Sequence, residues 1–309
     1  MKILKPIFWE KKNNFLSFLL LPVTFFFQIL IKLKSKMTTE ISFQIPVVCV
    51  GNIYIGGTGK TPLSIMIAEE LTKYSKKTAI VKKYYIEHLD EHKLIKNSIG
   101  DLFLDKHRSK AIYQAQNKNF DLAVLDDGFQ DFSINKDLNI LCFNSMQLIG
   151  NGMTLPSGPL RERFHSIKRA HIVMILGDKN ELFEKKIINI SNKIKIYYSK
   201  YLPVNISQFR NKKLLAFAGI GNPNNFFQIL KENNLDVQEK ISYPDHYEFS
   251  KLEIQKLINY SKKNDFELIT TEKDYFRVLH HGFKEVKYLK NKLEIQNKNN
   301  FIKQILNLL

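Results

Sequence analysis

The sequence predicts an α/β protein: a mostly parallel sheet with helices on both faces, followed by a smaller α/β domain. From Ile45 onward, apolar runs of strand length alternate with amphipathic segments of helix length, which is the order of strand-helix-strand units. The runs are continuous rather than alternating, as strands covered on both faces require. At 309 residues, the chain is long enough for one large domain or two ordinary ones.

The first buried strand is IPVVCVG (45–51). A glycine-rich turn follows it, then a helix from Thr61 to about Tyr74 whose Leu63, Ile67 and Leu71 recur every four residues. TAIV (78–81), FDLAVLD (120–126), LNILCF (138–143) and AHIVMIL (170–176) are further strands. After about residue 205 a second set begins with LLAFAGI (214–220), a helix near 223–233 and VQEKIS (237–242). Ser250 and Glu253 have capping-box spacing and open a helix to about Lys262. FELITT (266–271) and a short helix near 299–309 complete the set. The expected organisation is an N-terminal segment over 1–36, a core over 37–200 and a smaller α/β domain over 201–309.

Composition narrows the class. A chain with 44% hydrophobic and 25% charged residues is globular, and global disorder is excluded. No repeat of solenoid spacing is present. Lys and Arg total 47 against 30 Asp and Glu, a net charge of +17. That sign favours nucleic acid, phosphorylated substrates or an acidic membrane. A Lys- and Asn-rich composition of the kind AT-rich genomes produce accounts for much of it, so charge alone does not choose. Cys49 and Cys142 each lie inside an apolar strand and read as core residues in reduced surroundings; no Cys/His spacing suggests zinc.

The N-terminal run FLSFLLLPVTFFFQILI (15–31) lies between Lys11 and Lys12 on one side and Lys32, Lys34 and Lys36 on the other. No small-residue cleavage site follows, so it is not a signal peptide. Its 17 residues are interrupted by Ser17, Pro22, Thr24 and Gln28, and a spanning helix needs about 20 mostly apolar ones. A helix lying in, or partly inserted into, an anionic lipid surface fits better; a buried core helix is the alternative.

The strongest motif is GNIYIGGTGKT (51–61). Gly56, Gly57, Thr58, Gly59, Lys60 and Thr61 sit between a buried strand and a helix, as a phosphate-binding loop does. Its glycines let backbone N–H groups turn toward phosphate oxygens, Lys60 reaches the β- and γ-phosphates, and the Thr61 hydroxyl ligates Mg²⁺. The first glycine of the general pattern would fall at Tyr54. LAVLDDGFQD (122–131) ends an apolar strand in Asp126 and Asp127, at the sheet edge where α/β folds bind ligands. One of the two is expected to hold Mg²⁺, directly or through water, completing what Thr61 begins; two exposed turn acids are the bland alternative. The sequence thus predicts a P-loop fold that uses ATP and Mg²⁺.

Together these segments resemble the tetraacyldisaccharide 4'-kinases, which convert a tetraacylated disaccharide 1-phosphate to lipid IVA. The resemblance runs through the apolar N-terminus, Val50–Pro62, Asp126–Gln130, LPSGPLRE (155–162), AGIGNPNNFF (218–227), PDHYEF (244–249) and TEKD (271–274). The family's own loop has the form Gly-Asn-x-x-x-Gly-Gly, which accounts for Tyr54. The resemblance implies that Lys60 and Thr61 are the ATP-binding pair and that Asp126 and Asp127 are the family's acidic pair. It places Arg161 at the nucleotide and Glu162 at the metal. His246 matches a histidine that works with the aspartate of a Gly-Asp-Glu-Pro motif, and Gly100-Asp101 is taken as that motif. A carboxylate–imidazole dyad of Asp101 and His246 would then accept the proton of the attacking hydroxyl.

Three departures are visible. The family's Gly-Asp-Glu-Pro is here Gly100-Asp101-Leu102-Phe103. Its Ser-Arg-Gly-Tyr-Gly after the second strand is Lys82-Lys83-Tyr84-Tyr85-Ile86, and the histidine after Asp-Asp-Gly-Phe-Gln is Asp131. The resemblance implies a lipid disaccharide substrate, an anionic membrane surface and the cytoplasmic face of the inner membrane. Neither nucleic acid nor an obligate protein partner is called for. A P-loop enzyme acting on another acceptor, and a membrane-bound nucleotide-binding relative with a decayed acceptor site, are the competing readings.

Overall fold

A computed structural model describes residues 6–85, 89–245 and 247–309. The described chain divides into two compact units. One comprises the chain up to Tyr84, Ile99–Lys200 and Leu293–Leu309; the other comprises the described residues of Tyr85–Ser98 and Tyr201–Lys292.

The first unit opens with two N-terminal helices, α1 (Phe15–Leu19) and α2 (Leu21–Met37). Next come β1 (Val47–Gly51), α3 (Lys60–Thr72) and β2 (Thr78–Lys83). After α4 (Leu89–Ile99), which groups with the other unit up to Ser98, come β3 (Leu102–Asp105), α5 (Arg108–Asn117), β4 (Leu122–Asp126) and β5 (Leu138–Asn144). The series ends with β6 (Ile172–Leu176), α6 (Glu181–Ile190) and β7 (Lys195–Pro203). The last element of the chain, α10 (Lys298–Leu306), and β12 (Asn291–Ile295) before it complete an eight-stranded sheet of order β12-β7-β6-β5-β1-β4-β2-β3. Every neighbouring pair from β7 to β3 is parallel.

Alternation along the strands sends successive side chains to opposite faces, and both faces are covered. Val47, Cys49, Ala123 and Leu125 pack with Ala111 and Ile112 of α5 and with Phe183 and Ile187 of α6. Val48, Val50, Val124 and Cys142 pack with Leu63, Ile67 and Leu71 of α3 and with Phe301, Ile302 and Ile305 of α10. Each buried Val, Leu, Ile or Phe among them contributes roughly 1.5–3 kcal/mol by leaving water, and two covered faces explain why the strands read as unbroken apolar runs. Burial pushes the Cys49 thiol up to about 12, and Cys142 is also raised; both stay protonated and inert.

The second unit carries β8 (Lys213–Ala218), α7 (Pro223–Glu232), β9 (Asp236–Ser242), α8 (Lys251–Lys263), β10 (Glu267–Thr271), α9 (Glu272–Val278) and β11 (Lys287–Leu289). Its four strands form a parallel sheet of order β11-β10-β8-β9. The capping box is formed: the Ser250 hydroxyl accepts from Glu253 N, and Ser250 N donates to the Glu253 carboxylate at 2.8 Å. Buried Asp274 accepts from Gly219 N and Thr271 Oγ1 and pairs with Arg277 at 2.6 Å, so TEKD braces the loop of AGIGN.

Two boundaries are corrected. The described residues of Tyr85–Ser98, expected inside the core, group with the second unit. Residues 293–309 do not belong to the smaller domain but return to the first unit. Phe301, Ile302 and Ile305 find their apolar partners on α3 and the large sheet.

The N-terminal helices are built inside out. Ser17 and Thr24, seven residues apart, are buried, while Phe15, Phe25, Phe26 and Met37 are exposed. The Thr24 hydroxyl lies 2.7 Å from Ser157 Oγ and accepts from Ser157 N, and Asn151 Nδ2 donates to Ser17 Oγ at 3.1 Å. Trp9 Nε1 donates to the Pro156 carbonyl at 3.0 Å. These helices dock on the 151–157 loop through hydroxyls. The core-helix alternative is therefore excluded for α2, whose apolar side chains face outward. No helix among the described residues is long and apolar enough to cross a membrane.

Candidate active site

Parallel pairing brings the carboxyl ends of β1, β4 and β2 together. Val50 pairs with Asp126, and Lys82 pairs with Asp126 from the other side. The loop from β1 to α3 rises from this edge. Gly51 approaches the Asp127–Phe129 turn so closely that a Cβ there would stand 2.5 Å from Phe129 Cβ, so no side chain fits. Gly56, Gly57 and Gly59 all have positive φ, with Gly59 at 80° as the N-cap of α3. No side chain caps that helix, and its first turn holds no acid. Its leading N–H groups and positive dipole end remain available for an anion.

The loop is braced from two sides. Asn52 Nδ2 donates to Thr58 Oγ1 at 2.9 Å across the arch, and Gln130 Nε2 donates to Asn52 O at 2.9 Å. Tyr54, 1% exposed, bridges antiparallel to Leu160, while Arg161 N donates to Ile53 O at 2.7 Å. Tyr54 is thus a packed strut where the general pattern has glycine.

Charged groups converge under this arch. Thr61 Oγ1 donates to Asp126 Oδ2 at 2.8 Å. Lys60 Nζ stands 3.7 Å from Asp127 Oδ1, and Arg161 Nη1 reaches both Asp127 oxygens at 2.9 and 3.1 Å. Burial alone would raise the Asp127 carboxyl, but Lys60, Arg161 and Lys82 outweigh it and hold it well below the usual carboxylate range. Asp127 sits in the left-handed region at φ 64°, a strained conformation that persists only where its surroundings impose it. Arg108 helps impose it, donating to the Asp127 carbonyl at 2.7 Å and to Asp131 Oδ2 at 3.1 Å.

Asp126 is fully buried, and its second oxygen, Oδ1, has no hydrogen-bond partner. A buried carboxylate oxygen left open beside the hydroxyl that follows the phosphate-loop lysine suits a divalent cation. Among the described residues no group of three or more His, Cys, Asp or Glu converges as a metal cage. Few protein ligands is the arrangement Mg²⁺ uses when phosphates and water supply the rest. The residues present therefore fit a nucleoside triphosphate with its ion.

The other expected residues fare differently. Glu162 has both oxygens engaged, accepting from Gln130 Nε2 at 3.1 Å and Arg169 Nη2 at 2.6 Å. The Arg169 guanidinium stacks over Phe129 and Phe132, at 4.2 and 4.9 Å from the ring centroids. Asp101 is not brought to the loop. It precedes β3, and its carbonyl accepts from Ile80 N, at the amino edge of the sheet. The loop lies at the carboxyl edge, roughly 13 Å away at about 3.3 Å per residue. Asp105, which ends β3 opposite Lys83, occupies the loop's edge. The expectation for Asp101 fails because the Gly-Asp dipeptide closes helix α4 instead of leaving a strand's carboxyl end. His246 lies outside the described residues.

Sequence reasoning missed Lys82, Arg108, Asn52, Gln130 and Arg169 as parts of the site. Lys82 carried a signal: a lysine closing an apolar strand beside the phosphate-loop strand.

Residues 16–98 and 87–309 match the family described as Tetraacyldisaccharide-1-P 4'-kinase. A tetraacyldisaccharide 4'-kinase of Pelagibacter ubique is 41% identical, covering 100% of this chain and 99% of its own. One from Rickettsia canadensis is 31% identical over 89% of both chains. The fold matches the crystal structure of LpxK from Aquifex aeolicus in complex with ATP, with a TM-score of 0.74 at 23% identity over 95% of this chain and 99% of that one.

Proposed function

The chain belongs to the tetraacyldisaccharide-1-P 4'-kinase family, and we propose that it transfers the γ-phosphate of ATP to the 4'-hydroxyl of a tetraacyldisaccharide 1-phosphate, yielding lipid IVA. The observation that carries the reading is the convergence of Lys60, Thr61, Asp126, Asp127 and Arg161 at the uncapped start of α3.

Phosphoryl transfer asks mainly for positioning and charge neutralisation. The N–H groups of the 56–61 loop and the ammonium of Lys60 hold the phosphates. Asp127 orients Lys60 and Arg161 together, so the two cations reach the transferring group from fixed positions. Thr61 and Asp126 would hold Mg²⁺, which when bound offsets charge on the β- and γ-oxygens. Glu162, clamped by Arg169 and Gln130, keeps the Arg161 segment in place beside Ile53.

The proton acceptor is to be sought away from Asp101. Asp105 is one candidate. His246 keeps its proposed role as the partner of that acceptor. The outward-facing phenylalanines of α1 and α2, flanked by lysines, support binding to the anionic cytoplasmic face of the inner membrane, where a lipid disaccharide resides.

An ADP-release assay with three acceptors tests the reading: the tetraacylated disaccharide 1-phosphate in mixed micelles, its deacylated form, and none. Release only with the acylated disaccharide is expected. Equal release with the deacylated form would favour a soluble acceptor, and no stimulation by either would favour a decayed acceptor site.

A further inference from the structure

Lys82, near the end of β2, is seated by the structure on the carboxylate that the reading above gives to the metal. The residue is 4% exposed, and its side chain reaches from β2 to Asp126. Nζ lies 2.5 Å from Asp126 Oδ2, the oxygen that also accepts from Thr61 Oγ1 at 2.8 Å. The register that pairs Lys82 with Asp126 fixes the two backbones side by side, so the contact follows from sheet geometry as well as from the rotamer.

A buried carboxylate beside a phosphate-loop threonine is ordinarily a negatively charged pocket, open to a divalent ion whether or not nucleotide is present. Here an ammonium already neutralises it. A doubly charged ion arriving at Oδ1 or Oδ2 meets that positive charge a few ångströms away, in surroundings where water screens poorly. The two cations oppose one another until further negative charge enters, and a triphosphate on the loop supplies it. The lysine is also tethered: it holds Asp126 and Thr61 in register in the absence of an ion, as a buried charge requires a partner.

Resting on the assignment of Thr61 and Asp126 as the metal-holding pair, we propose that Lys82 is a tethered counter-cation that suppresses binding of free divalent ion and makes occupancy of the site depend on the nucleotide.

The test reads Mn²⁺ binding by electron paramagnetic resonance on the full chain, with and without a non-hydrolysable ATP analogue. Without nucleotide, Lys82→Met and Lys82→Gln are expected to bind Mn²⁺ at least about tenfold more tightly than the unmodified chain. With the analogue present the gap is expected to shrink to a few-fold. Lys82→Gln keeps a hydrogen-bonding group at Asp126 and serves if Lys82→Met does not fold; circular dichroism checks both. Asp126→Asn locates the signal: Mn²⁺ binding that survives it, with analogue present, counts against the metal assignment itself. If Asp126→Asn abolishes binding but Lys82→Gln binds free Mn²⁺ no more tightly than the unmodified chain, the counter-cation role is overturned. Weakened binding of the analogue with unchanged Mn²⁺ affinity would instead make Lys82 a phosphate ligand.

Discussion

Helices α2 and α3 both follow apolar stretches of sequence, yet they bury opposite faces. In α3 the residues at four-residue spacing, Leu63, Ile67 and Leu71, go inward, and the polar Lys60 and Thr61 stand at the amino end by the phosphate loop. Around α2 the buried positions are Ser17 and Thr24, and Phe25 and Phe26 are each 60% exposed. Apolar content is therefore a poor guide to burial; the deciding feature is which side of the helix finds partners. A stripe of outward phenylalanine is too large to be scattered surface apolarity and marks an interaction face. One loop links the two regions. Residues 151–157 receive the hydroxyls of the N-terminal helices, and 159–161 brace the loop ahead of α3.

The comparison breaks most visibly at Lys60. Lys60→Ala removes a cation that acts on transferring phosphate, and kcat should fall by about 10²–10³ or more with the melting temperature held. Unchanged turnover would detach α3 from the chemistry. Next comes the double variant Phe25→Ser, Phe26→Ser, which leaves the inward hydroxyls untouched. Each phenylalanine withdrawn from lipid forfeits about 1.5–3 kcal/mol, so affinity for anionic vesicles should drop by at least tenfold while the melting temperature stays put. Full retention on vesicles would show that the outward face is not the anchoring one.

Thr24→Val asks the converse question. It keeps the shape but strips the hydroxyl that serves Ser157, and stability should fall by roughly 1–3 kcal/mol, the cost of leaving buried polar groups unpaired. A neutral result would mean that the helices are not keyed by hydroxyls. The smallest effect belongs to Asp131. Burial raises its carboxyl, but Ser133 and Arg108 together hold it below the ordinary range. A depressed folded-state value contributes stability above the unfolded-state value and loses it as pH falls through the folded one. Asp131→Asn should therefore cost up to about 1 kcal/mol at neutral pH and flatten the acid side of the stability–pH curve. An acid limb of unchanged slope would remove the Arg108–Asp131 pair from the account of how Asp127 is held.

What could be read from the sequence follows from range. The phosphate loop was legible because strand, turn and helix are consecutive and only glycines satisfy its positive φ angles. Asp126 and Asp127 were legible for the same reason, at the end of an apolar strand. The return of residues 293–309 to the first unit was not, because a short amphipathic helix says nothing of which of two sheets will cover Phe301 and Ile305. Asp101 was misplaced by matching a dipeptide without knowing that α4 ends there, which puts it on the wrong edge of β3. Lys82 looked like the loss of a family serine, and only the register against β4 shows what it faces.

The central claim is that this site moves phosphate onto a lipid disaccharide. Incubation with γ-labelled ATP and the tetraacylated disaccharide 1-phosphate, followed by extraction of the lipid, tests it directly. The account predicts label on the extracted disaccharide at the 4' position with the unmodified chain and almost none with Lys60→Ala. An unlabelled lipid fraction from a folded, ATP-binding chain would contradict it, as would label that persists undiminished in Lys60→Ala.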